Sequence, residues 1–330
     1  MDYKDKELVQ YYFDQLKKLA KKDHCIFIKF DPAIHVNDYD SKSYNINRYK
    51  DTDTYLEIFK SCKAIHHGYT MHISDTVQPR FQSNVYSYEN IEEILPKHTK
   101  CLIKDANRRN VQIIHGQGEL LDEFSRLVEL TESRKGVALR DKGYFKTLLE
   151  NYQDGGVIFL AMCNVYQLNK EAKMKKVKLE KEIAQTCENA KKKLHRLEDQ
   201  LKSVNKDIYE YKEIFSEFGQ ENQDIAIAGI LSIQYGNTCE MLYAGMDERF
   251  KKFMPQYKEY VENFKWAFEK GCSWSNMGGV EGTLDDGLTK FKDNFNPTIN
   301  EFIVGFDIPI YPFMYRLTQK AYKILKSKHM

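Results

Sequence analysis

The residues best placed to do chemistry crowd into one passage, Cys272 to Pro297, which reads C-S-W-S-N-M-G-G-V-E-G-T-L-D-D-G-L-T-K-F-K-D-N-F-N-P. Phe291 and Lys292 put a flat apolar surface and a cation on neighbouring positions, a pair able to hold a ligand in line and to stabilise developing negative charge. The Gly278-Gly279 pair and Gly282 let backbone approach a ligand or take a positive φ. Thr283 is expected to cap a helix opening at Leu284, with Asp285 and Asp286 favoured in its first turn. By spacing alone the passage also reads as a strand-to-helix turn with solvated lysines.

Further candidates stand elsewhere. Arg140 and Tyr144 are four apart and share a face if Asp141 to Leu149 is helical. A guanidinium grips phosphate or carboxylate bidentately, and a tyrosine adds a hydroxyl and a flat surface. The plainer alternative is a surface arginine over a half-buried tyrosine. Asp31 closes F-I-K-F-D-P and offers a carboxylate, although Asp before Pro is also an ordinary turn residue. His66, His67 and His72 are close in sequence, lack ligand partners at metal spacing and read as surface histidines.

The elements that must position these residues are both helical and extended. Leu8 to Ala20 reads as an amphipathic helix with Leu8, Tyr11, Tyr12, Leu16 and Leu19 recurring at helical spacing. Cys25 to Phe30 reads as a strand stopped by Asp31-Pro32. Residues 54–68 read as helix, Val77 to Phe81 as extended, 89–110 as helix, Val111 to His115 as strand and 121–150 as helical. Gly156 to Gly219 contains no glycine or proline between its ends, and Leu194, Leu197, Leu201, Val204, Ile208, Tyr211 and Phe215 form a heptad seam. Leu179, Ile183, Cys187 and Ala190 give a weaker matching seam, with reversal at Thr186 to Asn189, so two antiparallel helices are expected as a coiled-coil arm. Ile225 to Ile233 then resumes the sheet begun at Val157. In the strand Cys239 to Gly245, alternation puts Met241 and Tyr243 on one face. Tyr257 to Lys270 is a helix with Tyr260, Val261, Phe264, Ala267 and Phe268 inward, and Glu301 to Phe306 supplies the last strands. A basic helix, Met314 to Lys328, offers Lys320, Lys323, Lys326 and Lys328 to anionic lipid or packs back on the first domain. The pattern is α+β with a helical insertion.

At 330 residues the chain has room for two domains of roughly 150 residues. A net charge of +2 confines any nucleic-acid contact to a local basic face. Seven scattered cysteines without C-x-x-C fit reduced thiols in a cytoplasm, not a disulfide scaffold or zinc knuckle. There is no run of about 18 apolar residues, and M-D-Y-K-D-K-E is too polar for a signal peptide. The expected location is cytoplasmic, at most peripheral on a membrane.

The block from Trp274 to Pro297 resembles the C-terminal signature of the FemABX family, bacterial aminoacyltransferases that build peptidoglycan interpeptide bridges. D-Y-K-D-K-E-L-V, F-I-K-F-D-P, V-Q-P-R-F and K-H-T-K-C-L-I-K-D-A-N-R-R-N-V resemble family segments as well. The resemblance implies tandem GNAT-like acyltransferase domains with an inserted antiparallel coiled-coil arm. The implied domains are 1–118, incomplete because family members carry a further block ahead of Met1; 119–166 with 220–308; an arm at 167–219; and a terminal helix at 309–330. It also implies transfer of an amino acid from aminoacyl-tRNA to the stem-peptide amine of a peptidoglycan precursor, lipid II or UDP-MurNAc-pentapeptide. In that reading Lys292 stabilises the oxyanion, Phe291 positions the ester or terminal adenosine, and Asp31 polarises the attacking ammonium. Arg140, Tyr144 and Tyr243 contact the precursor, Met241 replacing a second family tyrosine. No metal or organic cofactor is implied, because the ester is already activated. The alternatives are an acyl-CoA-dependent N-acyltransferase and a non-catalytic truncated homologue that dimerises, with itself or a full-length relative.

Overall fold

The computed structural model describes residues 1–330 except Ser43, Val77, Val137, Ala138, Glu188, His329 and Met330, and except the side chains of Lys323, Lys326, Ser327 and Lys328. The expected extended start at Val77, part of the reversal at Thr186 to Asn189, and three of the four terminal lysines therefore lie outside the described residues. The chain forms α and β elements in two compact units, 1–86 with 276–330, and 87–275.

The first unit opens with helix α1 (Lys6–Lys22), capped where Asp5 accepts from the Leu8 amide. Its buried stripe is Val9, Phe13 and Ala20, whereas Leu8, Tyr11, Tyr12 and Leu19 are exposed. The face expected from sequence is thus displaced by one position, because Phe13 is the residue that meets the rings of Phe30 and Phe59. Strands β1 (Phe27–Phe30), β2 (His35–Tyr39) and β3 (Asn45–Arg48) follow. Helix α2 (Thr52–Ser61) stops at Cys62, and a left-handed Lys63 turns the chain into strand β4 (Ile65–His66). The helix expected over 54–68 is therefore helix plus strand. Strand β5 (Phe81–Tyr86) ends this part.

In the second unit the expected helix 89–110 is split into α3 (Ile91–Ile94) and α4 (Lys97–Arg108). Pro96 lacks an N–H donor and pushes Leu95 to extended backbone. Next come β6 (Gln112–Gly116), α5 (Leu121–Lys135), α6 (Lys142–Tyr152) and β7 (Gly156–Cys163). Helices α7 (Val165–Gln185) and α8 (Lys191–Glu210) pack through Leu179, Ile183, Leu197, Leu201, Val204 and Ile208. The seam stops there. Tyr211 ends α8, and Tyr211 and Phe215, at the start of and within α9 (Lys212–Phe218), join a separate core with Phe250 and Phe253. Strands β8 (Ile225–Tyr235) and β9 (Thr238–Met246) and helix α10 (Pro255–Glu269) complete the unit. Its strands run antiparallel in the order β6-β7-β8-β9, β8 resuming from β7 as expected.

Strand β10 (Trp274–Val280) returns the chain to the first unit, followed by α11 (Gly287–Asp293), β11 (Thr298–Phe302), β12 (Phe306–Pro309) and α12 (Pro312–Lys328). Here the strand order is β3-β2-β11-β5-β10, beside a three-stranded sheet β1-β12-β4. The two sheets share one interrupted ladder. β1 and β2 are separated at Asp31-Pro32, and β12 and β11 are separated at Ile303 to Gly305, with Val304 at φ 75°. The last strands, expected over 301–306, are β11 and β12 with this break between them. Below the break, Phe30, Phe59 and Phe306 pack with α1. Above it, the buried carboxylate of Glu301 takes hydrogen bonds from Arg80, Asn37 and Tyr39. Helix α12 anchors through Tyr315, which donates to Asp307 at 2.9 Å and packs edge-on to Phe27.

Close approach of backbone to backbone governs Gly245 in the second unit. A Cβ on Gly245 would lie 2.5 Å from the carbonyl carbon of Leu127 in α5. Gly245→Ala should therefore push α5 off β9 and cost roughly 1–3 kcal/mol, read as a lowered urea midpoint; an unchanged midpoint would contradict this packing.

Candidate functional site

Two clusters hold the candidate residues, one in each unit. In the first unit β10 delivers the glycine pair. Gly278 sits at φ +85°, and its amide donates to Asn276 Oδ1 at 2.7 Å, while Asn276 Nδ2 donates to Gln82 Oε1 at 2.7 Å. Gly279 lies flat against Pro79, where a Cβ would approach within 2.4 Å. The chain then turns through Leu284, at φ 55°, so the helix does not open there and Thr283 is not its cap. Asp286 caps α11 instead, accepting from the amides of Leu288 at 2.7 Å and Thr289 at 3.2 Å. Burial alone would raise the Asp286 carboxyl, but these bonds and the Thr289 hydroxyl hold it below its usual range.

Lys292, in the last turn of α11, is 3% exposed. Its Nζ donates to the Gly279 carbonyl at 2.8 Å. Burial brings its pKa down to about 7, with Asp286 opposing the shift. Phe291 turns to the other side and meets Phe295 edge-on at 5.6 Å. Asp293, which the sequence reading did not single out, is pushed up to about 6 by burial and by the charges of Asp286 and Asp40. Its Oδ1 is buried without a hydrogen-bond partner. No sequence signal separates Asp293 from a solvated helix-end acid; the burial comes from how α11 sits.

Asp31 stands exposed at the ladder break and makes no hydrogen bond among the described residues. Burial of part of its surface raises its carboxyl, against the charges of His67 and Lys29. No hydrogen bond or ion pair joins Asp31 to Lys292 among the described residues. The three histidines have separate partners. His66 Nε2 lies 2.6 Å from the Ile303 carbonyl, His67 Nε2 lies 3.0 Å from Asp307 Oδ1, and His72 Nδ1 lies 3.3 Å from Glu281. Only His72 is a largely exposed side chain.

In the second unit Arg140, Tyr144 and Tyr243 do come together. Arg140 precedes Asp141, the N-cap of α6, so it shares no helical face with Tyr144. Its guanidinium instead stacks over the Tyr144 ring at 5.1 Å. The Tyr144 ring meets Tyr243 at 6.1 Å, and Tyr243 rests on Phe145 at 5.0 Å. Burial, then hydrogen bonding with Tyr144, raises the Tyr243 hydroxyl, while Arg140 pulls it down. Arg140 and Tyr144 line a pocket of about 480 Å³ with Ser125, Glu129, Glu132 and Lys142. Met241 and Tyr243 do not share a face. Leu231 pairs with Tyr243 and Ser232 with Met241, so Leu242 is an extra residue that turns the two apart.

The sequence pattern described as the FemAB family matches residues 1–323, and the chain belongs to that family. Among curated relatives, aminoacyltransferase FemA of Staphylococcus epidermidis is 26% identical over 99% of this chain and 82% of its own length. Aminoacyltransferase FemA of Staphylococcus aureus is 27% identical over 99% of this chain and 80% of its own. Among solved structures, FemX matches with a TM-score of 0.71 at 22% identity, over 96% of this chain and 80% of that one.

Burial of the Lys292 amine has a consequence for stability. Folding lowers its pKa from 10.5 to about 7, so between these values the unfolded chain holds the extra proton and stability rises with pH. The penalty is present in full below the lower value. Lys292→Met should therefore have a higher denaturation midpoint than the wild type in weakly acidic buffer, with the gap closing as pH climbs toward 10.5; a gap that does not change with pH would contradict the burial.

Proposed function

We propose that this protein moves an amino acid from the ester on aminoacyl-tRNA to the stem-peptide amine of a peptidoglycan precursor, lipid II or its soluble nucleotide-linked form, and so extends the interpeptide bridge. The observation that carries this reading is the buried Lys292 amine on the Gly279 carbonyl, in a chain of the FemAB family whose curated relatives are named aminoacyltransferases.

Attack of an amine on an ester carbonyl builds negative charge on the carbonyl oxygen. Lys292 answers that charge. With a pKa of about 7, roughly half of its amines are already ammonium at neutral pH. The phosphates of tRNA and the developing oxyanion draw it to its charged form, and a desolvated ammonium acts more strongly than a hydrated one. Phe291 holds the ester or the terminal adenosine in line, and Asp31 receives the acceptor ammonium. Arg140, Tyr144 and Tyr243 hold the precursor through its phosphates. No metal or organic cofactor takes part, since the ester carries the activation.

The same reading divides the chain by ancestry rather than compactness. It has two acyltransferase-like halves, 1–118 and 119–166 with 220–308, a coiled-coil arm at 167–219 and a closing helix at 309–330. The enzyme works in the cytoplasm and meets a lipid-linked acceptor at the inner membrane face. No helix of the described residues is long and apolar enough to cross a membrane.

The test is transfer of radiolabelled amino acid from charged tRNA to the precursor. Wild type should transfer, ribonuclease should abolish transfer, and Lys292→Met should lower kcat by roughly 10²–10³-fold. Undiminished transfer by Lys292→Met, or acyl transfer from a CoA thioester that ribonuclease leaves intact, would contradict the reading.

A further inference from the structure

Helix α12 is fastened to the first unit along one face. Tyr315 donates to Asp307 Oδ2 at 2.9 Å and packs edge-on against Phe27, and Gln319 reaches the same oxygen at 3.5 Å. Thr318, between them, is half-buried. Positions three and four apart stand one above the other on a helix, so these residues form a single stripe. The next residue of that stripe, Tyr322, is already 63% exposed. The anchor therefore ends at Gln319.

The face turned away from the unit is apolar. Phe313, Met314, Leu317, Ala321 and Leu325 share it at helical spacing, and all five are exposed. Phe313 is 73% exposed, Leu317 48% and Leu325 57%. A surface helix ordinarily turns such a face inward, and an apolar patch left in water marks an interaction site. Arg316 and Lys320 border the patch on the side away from the anchor, both exposed and neither in an ion pair among the described residues. Residues 312–328 hold five basic residues and no acidic one, in a chain whose net charge is only +2.

Charge and apolar surface together decide what covers this face. A second copy of the chain docking through α12 would set one cationic helix against another, and like charges repel. A nucleic acid would answer the cations through its phosphates but would leave Leu317 and Leu325 against a polar backbone. An anionic bilayer answers both, its headgroups meeting the cations and its acyl boundary taking the apolar residues. We propose that α12 is a membrane-docking helix that lies in the headgroup layer of an anionic phospholipid bilayer, with Phe313, Leu317 and Leu325 turned into the lipid. Tyr315 and Gln319 then tie the membrane-bound helix to the unit that carries Lys292. This docking goes beyond the transfer reaction and needs none of its chemistry.

The experiment is co-sedimentation of the full chain with vesicles of phosphatidylcholine alone or of an equal mixture with phosphatidylglycerol, at low and at high salt. The wild type should bind the mixed vesicles, leave the neutral ones largely uncoated and lose affinity as salt rises. Phe313→Ser with Leu317→Ser should weaken binding by ~10-fold or more. Arg316→Gln with Lys320→Gln should weaken it by about 30-fold and flatten the salt dependence. Phe313→Leu with Leu317→Met keeps the face apolar and should bind like the wild type. All four side chains are exposed, so the urea midpoint should stay in place, and Leu325→Ser repeats the test beyond the anchor if the serine pair folds poorly. Equal binding to both kinds of vesicle, binding to neither, or undiminished binding by the serine variants would overturn the docking. So would a dimer that the serine pair dissolves without lipid, or tRNA retention that the glutamine pair loses while vesicle binding stays unchanged. Transfer to the soluble precursor should be unaffected by the serine pair. A wild type that transfers but ignores vesicles would overturn the docking alone, and one that docks but never transfers would overturn the reaction alone.

Discussion

The account hangs on one buried contact, the Lys292 amine on the Gly279 carbonyl. Taking an ammonium out of water is costly unless its charge is answered, and one neutral carbonyl answers it only in part. The amine responds by giving up its proton near neutrality. Much of the surrounding chain serves to keep this contact. Asn276 ties the Gly278 turn, Gly279 fits against Pro79 because it has no side chain, and Asp286 fixes the start of the helix that carries Lys292. Changing any of these would move the carbonyl relative to the amine.

A second constraint shapes the same unit. A continuous antiparallel ladder would have paired Asp31 and Gly305 and left no room for side chains between two sheets. The interruption at Asp31-Pro32 and at Val304-Gly305 opens the ladder on both strands at the same level. Strand interruptions re-aim side chains, and here one brings the Asp31 carboxylate up to Gly305. In the second unit a comparable irregularity, the extra residue at Leu242, turns Tyr243 toward Tyr144 and away from Met241.

The fold was legible where a pattern is local. The heptads of Leu179 to Ile208, the strands from Val157 and Ile225, and the stop at Pro32 all follow from spacing and backbone chemistry. Less legible was whatever depends on phase or on distant partners. Leu8 and Leu19 repeat as regularly as Val9 and Phe13, and only the position of Phe59 decides which row is buried. Thr283 and Asp286 are both good caps, and the left-handed Leu284 chooses between them. For the site, residue types marked Lys292, Arg140 and Tyr144, but not the depth of Lys292. Asp293 was missed because a buried acid looks like any other acid until the helix that carries it is placed.

The most direct measurement is the titration of the Lys292 amine itself. Lysine labelled with ¹³C at Cε reports its own protonation by NMR, and the signal missing from Lys292→Met assigns the resonance. A midpoint of about 7 is predicted. A midpoint near the ordinary 10.5 would mean a hydrated ammonium and would contradict the account.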